Sequence, residues 1–344
     1  WNSDIPFIPV DATVNVCGTA VYKLNKNITN EEFIERLNNV MNNRNTYLDF
    51  ANKYLPKDVL NSIDVNDASK FFWNYNKGNH FVIFAESDGK YGLEEGQYMI
   101  VHASAIELKK DNLKYGLYRV KGNWFYDDIK TEYDDEHKRY IRYITGEKAK
   151  KFYDIATYLK EFNKIRNKYF CQIVLGDLME KELINISHYG MPTINSVCIG
   201  CQWEQLDYTL LTAPGNDVFL VHPEINPNNK NYINLHGKNI TLTPRGCGVR
   251  INNPEDKIEY FDGGLRIGDN VYKIDESVNI GIDVSVRTKN MTNEELDNHI
   301  NNILSKCPGE IYGRLSQKFA RTKYGDFNYK EEYENANNNI YKTR

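Results

Sequence analysis

Apolar positions fall into two periods along this chain, and the switches between them outline its elements. Residues 13–25 alternate loosely, with Val14, Val16, Ala20, Tyr22 and Leu24 on one side, and read as a strand. The period then changes to that of a helix. Phe33, Leu37, Val40 and Met41 fall on one face behind Thr29, which stands at an N-cap position with Glu32 three residues on. The same unit returns near the other end. Val278, Ile280, Ile282, Val284 and Val286 alternate with polar residues, and Leu296, Ile300, Ile303 and Leu304 form a helical face behind Thr292 and Glu295. Residues 26–41 and 289–304 share eight identical positions of sixteen, and five more exchange one apolar residue for another. The two copies predict equivalent strand–helix units that lie side by side and close one structure.

Between them the pattern predicts short helices over 44–75, then strands at 80–84, 98–103, 115–120 and 124–126. A charged loop over 127–140 follows. A long amphipathic helix over about 147–169 carries Phe152, Ile155, Ala156, Leu159, Phe162, Ile165 and Tyr169 on its buried face, and a weaker helix is expected at 174–184. Residues 186–288 read as short strands at 193–199, 208–211, 218–221, 240–243, 248–251, 257–261 and 270–274, separated by Gly, Pro and Asn turns. The polar tail, 321–344, reads as disordered alone or wrapped on a partner. The expected fold is α+β: a β-rich sandwich or barrel-like sheet with several packed helices. Its expected divisions are an N-terminal α+β region over 1–130, a linking helical region over 131–185, and a β-rich region over 186–344.

Composition narrows the function classes. A length of 344 residues supports a large core, and a net charge of −4 gives no blanket electrostatic reason to bind nucleic acid. No run of eighteen apolar residues occurs, so no membrane span is expected. The first residues, Trp1-Asn2-Ser3-Asp4, lack signal-peptide character and read as a processed or trimmed end. Tyr reaches 25 residues, so tyrosine hydrogen bonds should lace the core or the contact surfaces. Six cysteines are too sparse for a disulfide scaffold, and reduced thiols are expected.

Three constellations could carry chemistry. Cys198-Ile199-Gly200-Cys201 is a CxxC, a weak candidate for half a metal site or for redox chemistry. The pattern favours a structural role, because no second ligand pair stands at a standard spacing; His222, His236 and Cys247 are the nearest candidates. Arg245-Gly246-Cys247-Gly248 sets a thiol between two glycines, as in a turn that presents a nucleophile beside backbone N–H groups. A cysteine hydrolase built on Cys247 would take His222 or His188 as base and Asp217 or Asp207 as orienter; Cys201 is the other candidate nucleophile. A tight β-turn with a small buried thiol explains the same residues. His102, in Val101-His102-Ala103-Ser104, reads as a strand residue. The acidic runs 127–128 and 134–136 read as solvated loop. No Walker A, dinucleotide fingerprint or GxSxG occurs, and no cofactor is expected.

Trp203, the run Asn216-Asp217-Val218-Phe219-Leu220-Val221 and the Pro/Asn-rich stretch to Tyr232 resemble a central segment of the polyhedrins of baculoviruses and nudiviruses. Residues 280–287 are similar to the last strand of that family. The resemblance implies a jelly-roll-like subunit that self-associates into a virus-protecting matrix which dissolves in strong alkali, and with it an intracellular assembly or a place in a virus particle or occlusion as the favoured localisation. The leading expectation is thus a non-enzymatic, self-assembling structural protein. The alternatives are the cysteine hydrolase and a Tyr-rich protein- or glycan-binding module of a toxin or surface protein.

Overall fold

A computed structural model describes residues 3–9, 16–55, 73, 75, 79–105, 125–135, 139–212, 215–246, 258–261, 264–267, 270–273, 292–322 and 325–329. Eight strands make the main sheet: β1 (Gly18–Leu24), β2 (Phe81–Ser87), β3 (Gly96–Ala103), β4 (Met179–Ser187), β5 (Tyr208–Leu210), β6 (Val218–Pro223), β7 (Gly309–Thr322) and β8 (Gly325–Asn328). Their order is β5-β6-β7-β2-β3-β1-β4, with β8 on β7, and every pairing is antiparallel. The sheet curls until its outer strands β4 and β5 touch, giving a nearly closed, barrel-like layer. The fold is α+β and β-rich.

Strand alternation divides the core in two. Ala20, Tyr22, Val82, Phe84, Met99 and Val101 face helices α1 (Asn30–Met41), α2 (Arg44–Tyr54) and α3 (Gly146–Leu175). Val21, Ile83, Ile100, Ile184 and Ile186 face the other way, into a second cluster shared with β5, β6 and helix α4 (Asn293–Leu304). Two helix starts that echo each other therefore serve different cores: Phe33 and Leu37 of α1 pack in the first, Leu296 and Ile300 of α4 in the second. Both threonines cap their helices, but only α4 closes the capping box; in α1 Glu32 pairs with Arg36. The strand over 278–286 that would complete the second unit lies outside the described residues, as do the strands over 115–120 and 248–251.

Two segments differ from the sequence reading. Residues 127–140 contain a strand, Lys130–Asp134, paired with Arg139–Thr145, which in turn pairs with Phe7–Pro9. Cross-strand contacts such as the Tyr143 hydroxyl on Glu132 hold a segment whose charge suggested a loop. The weaker helix expected at 174–184 is instead the end of α3 followed by β4. Gly176, at φ +56°, turns the chain. Glu180, Lys181 and Glu182 then lie exposed on an outer strand, where charge discourages pairing with another chain. Of the tail, Arg321 and Thr322 end β7 and Gly325–Asn328 forms β8 beside it; residues 330–344 lie outside the described residues. Among the described residues, no helix is long and apolar enough to cross a membrane.

Candidate functional site

Antiparallel order brings the start of β1, the start of β2, the end of β3 and the end of β4 to one rim of the sheet. Cys17, His80, His102, Ser104 and His188 stand on that rim, each nearly or fully buried. His102 lies opposite Thr19 and Phe81, on the face that carries Ile100 and Ile186. The His188 N–H donates to the Cys17 carbonyl at 2.9 Å, so the two residues are locked across neighbouring strand ends.

From the opposite face, α3 reaches the same rim with a polar set. Asn163 Nδ2 donates to the carbonyls of Val16 (3.1 Å) and Ala103 (3.0 Å). Arg166 donates to the Ser104 carbonyl and to Asn163 Oδ1, and the Tyr75 hydroxyl donates to Asn167 Oδ1 at 2.9 Å. These bonds satisfy backbone carbonyls where the ladder ends, which is why polar residues tolerate full burial there. A Cβ on Gly18 would sit 2.9 Å from the Ile186 carbonyl, so only glycine lets β1 and β4 approach this closely.

The proton positions on His102 follow from its partners. Nδ1 is 3.0 Å from the Asn79 carbonyl, which only accepts, so Nδ1 carries the hydrogen and Nε2 presents a lone pair. That lone pair faces His188 Nε2 at 3.0 Å. His188 Nδ1 is buried with no hydrogen-bond partner, and so is Thr19 Oγ1. Burial first, then the nearby charges of Arg245 and the neighbouring imidazoles, holds both His102 and His188 well below the usual histidine range, so both rings are neutral. One donor atom each from Cys17, His102 and His188 lies within 4.8 Å of the others. Chemically, the rim offers a thiol and two neutral imidazoles converging where solvent does not reach.

The residues singled out from sequence lie elsewhere. Cys198 and Cys201 flank a turn at Gly200 (φ +69°) between short strands rather than opening a helix. Their thiols interact. That hydrogen bond pulls Cys201 below its ordinary range, and the same bond, with burial, pushes Cys198 up. Among the described residues no third metal ligand joins them, and none of Cys17, Cys171, Cys198, Cys201 and Cys307 is in a disulfide.

Cys247 lies outside the described residues. Gly246, before it, has φ +108° and packs so closely on Leu211 that a Cβ would come within 2.3 Å of that backbone. His222 Nδ1 is 2.7 Å from Asp207 Oδ1, because the β5–β6 register sets residues 207 and 222 opposite each other. The His222 ring stacks on Tyr312 at 4.0 Å. Asp217 is held instead by Arg314 and by the Ser316 hydroxyl at 2.8 Å. The structure thus joins His222 to Asp207 and leaves Asp217 in a separate ion pair.

Sequence reasoning treated His102 as a plain strand residue, weighed His188 only as a base, and passed over Cys17. One signal was present: His102 continues the inward phase of Ile100. Its convergence with Cys17 and His188 depends on pairing between strands distant in sequence. No protein-family model and no curated protein matches the chain.

Proposed function

We propose that this chain is a non-enzymatic structural protein that assembles with copies of itself, in the manner of an occlusion or particle matrix subunit. The observation that carries the reading is at the β5–β6 corner. Leu206 is 54% exposed and Ile225 51% exposed. The register places both at the same end of the β5–β6 pair, around His222, Asp207 and Tyr312. Large apolar side chains grouped at an outer strand suit a protein contact. The other outer strand, β4, carries exposed charge that discourages pairing. A net charge of −4 on 344 residues sets little repulsion between copies. The stretch that resembles polyhedrins, 203–232, contains this corner. Sedimentation velocity on wild type and on a Leu206→Glu/Ile225→Glu variant tests the reading. Concentration-dependent assembly lost in the variant supports it, and a wild-type monomer at every concentration contradicts it.

A second reading, a cysteine hydrolase, is favoured by the His222–Asp207 pair, in which a carboxylate orients an accessible imidazole. A thiol-reactive probe at neutral pH should then label Cys247 or Cys201 fast, and His222→Ala should slow the labelling. Uniformly slow thiols, unaffected by that substitution, remove this reading.

A further inference from the structure

We infer that Cys17, His102 and His188 form a buried binding site for a divalent, borderline-soft cation, with Zn2+ the best match. The donor set selects the class. A thiolate with two imidazoles suits zinc, whereas Ca2+ and Mg2+ require oxygen ligands. The geometry is close to what coordination needs. Two nitrogens on a tetrahedral zinc stand about 3.3 Å apart for bonds of about 2.05 Å. His102 Nε2 and His188 Nε2 stand 3.0 Å apart, with the Cys17 donor in the same 4.8 Å group.

The surroundings supply the expected support. The Asn79 carbonyl takes the Nδ1 hydrogen of His102, which fixes the tautomer that presents Nε2 to a metal. His188 Nε2 faces His102 Nε2 at 3.0 Å and carries the hydrogen of that contact; to bind the ion it passes this hydrogen to Nδ1, which is buried with no hydrogen-bond partner. Thr19 lies opposite His102 in the ladder, and its Oγ1 is also buried without a partner. The three ligands come from the ends of β1, β3 and β4, so the ion would add a side-chain link between strand ends that the backbone ladder already pairs.

Binding releases one proton: the Cys17 thiol becomes a thiolate, and both imidazoles bind as neutral rings. The ion with one thiolate keeps a net positive charge.

The test uses the full chain, prepared without a histidine tag. Elemental analysis should find one zinc per chain. Exchange for Co2+ should give tetrahedral d–d bands and a thiolate-to-cobalt charge-transfer band. Cys17→Ser should abolish the charge-transfer band, and Cys198→Ser/Cys201→Ser should leave it unchanged. Because Cys17→Ser could fail to fold, a chelator titration of wild type followed by thermal unfolding gives a second readout: Tm should fall on chelation and return with Zn2+. The inference is overturned if folded wild type takes up neither Zn2+ nor Co2+. It is also overturned if the charge-transfer band disappears in Cys198→Ser/Cys201→Ser and survives Cys17→Ser. These outcomes are independent of assembly state.

Discussion

Phe33 of α1 stacks on Phe84 of β2 with ring centroids 4.6 Å apart, and meets Phe319 of β7 edge-on at 6.0 Å. One side chain, fully buried, thus fastens the first capped helix to the centre of the sheet. Phe33→Ala should destabilise the fold by about 3–5 kcal/mol, the usual cost of deleting a buried ring and leaving a cavity. Urea midpoints with an unchanged m-value check it.

The two echoed caps should differ in one respect. Thr292 Oγ1 accepts from Glu295 N–H at 3.2 Å, and Glu295 Oε2 accepts from Thr292 N–H at 2.7 Å. In α1 the Thr29 bond is present at 3.2 Å, but Glu32 pairs with Arg36 instead. Thr29→Ala and Thr292→Ala should each cost about 1 kcal/mol. Replacing Glu295 should weaken the α4 cap as well, whereas replacing Glu32 should only release Arg36. Hydrogen exchange at the first-turn amides of the two helices separates these outcomes.

Asn163 is the clearest test of the buried polar rim. Asn163→Leu keeps an apolar volume but strips partners from the Val16 and Ala103 carbonyls. An unsatisfied buried acceptor costs about 1–3 kcal/mol, so a loss of about 2–4 kcal/mol is expected. A neutral substitution would mean that water satisfies these carbonyls.

Alkali should unfold the chain through its buried phenols. Burial pushes Tyr98 up to about 12, and burial likewise raises Tyr22, Tyr208 and Tyr312. In the unfolded chain a phenol ionises near pH 10. Below that pH neither state loses the proton, and stability is unaffected. Above it the unfolded chain sheds protons that the fold retains, so stability falls by about 1.4 kcal/mol per pH unit for each fully buried phenol, up to its folded value. Denaturant midpoints at pH 7, 8.5 and 11 should be flat across the first interval and fall across the second.

The elements that sequence periodicity located best are those whose local signals agree. Helix α1 has a cap, an acidic first turn and one apolar face, and it forms over 30–41. The long helix α3 was placed within a few residues of its start but extends to Leu175. Glu180, Lys181 and Glu182 misled because an outer strand with a solvated face has a weak period-2 signal, and helix formers such as Glu and Lys dominate it. The hairpin over 130–145 was missed because its stabilising contacts are cross-strand pairs. The rim site was least legible. Cys17, His102 and His188 stand 85 and 86 positions apart in order, and nothing local marks them as neighbours. Only the pairing of β1 with both β3 and β4 brings them together.

The central claim is that the chain is a subunit that associates with itself. The most direct measurement is molar mass by sedimentation as a function of concentration at pH 7, with circular dichroism recorded on the same samples. The account predicts a mass that rises with concentration while the chain stays folded. A particle that stays monomeric at pH 7 over the whole concentration range would contradict it.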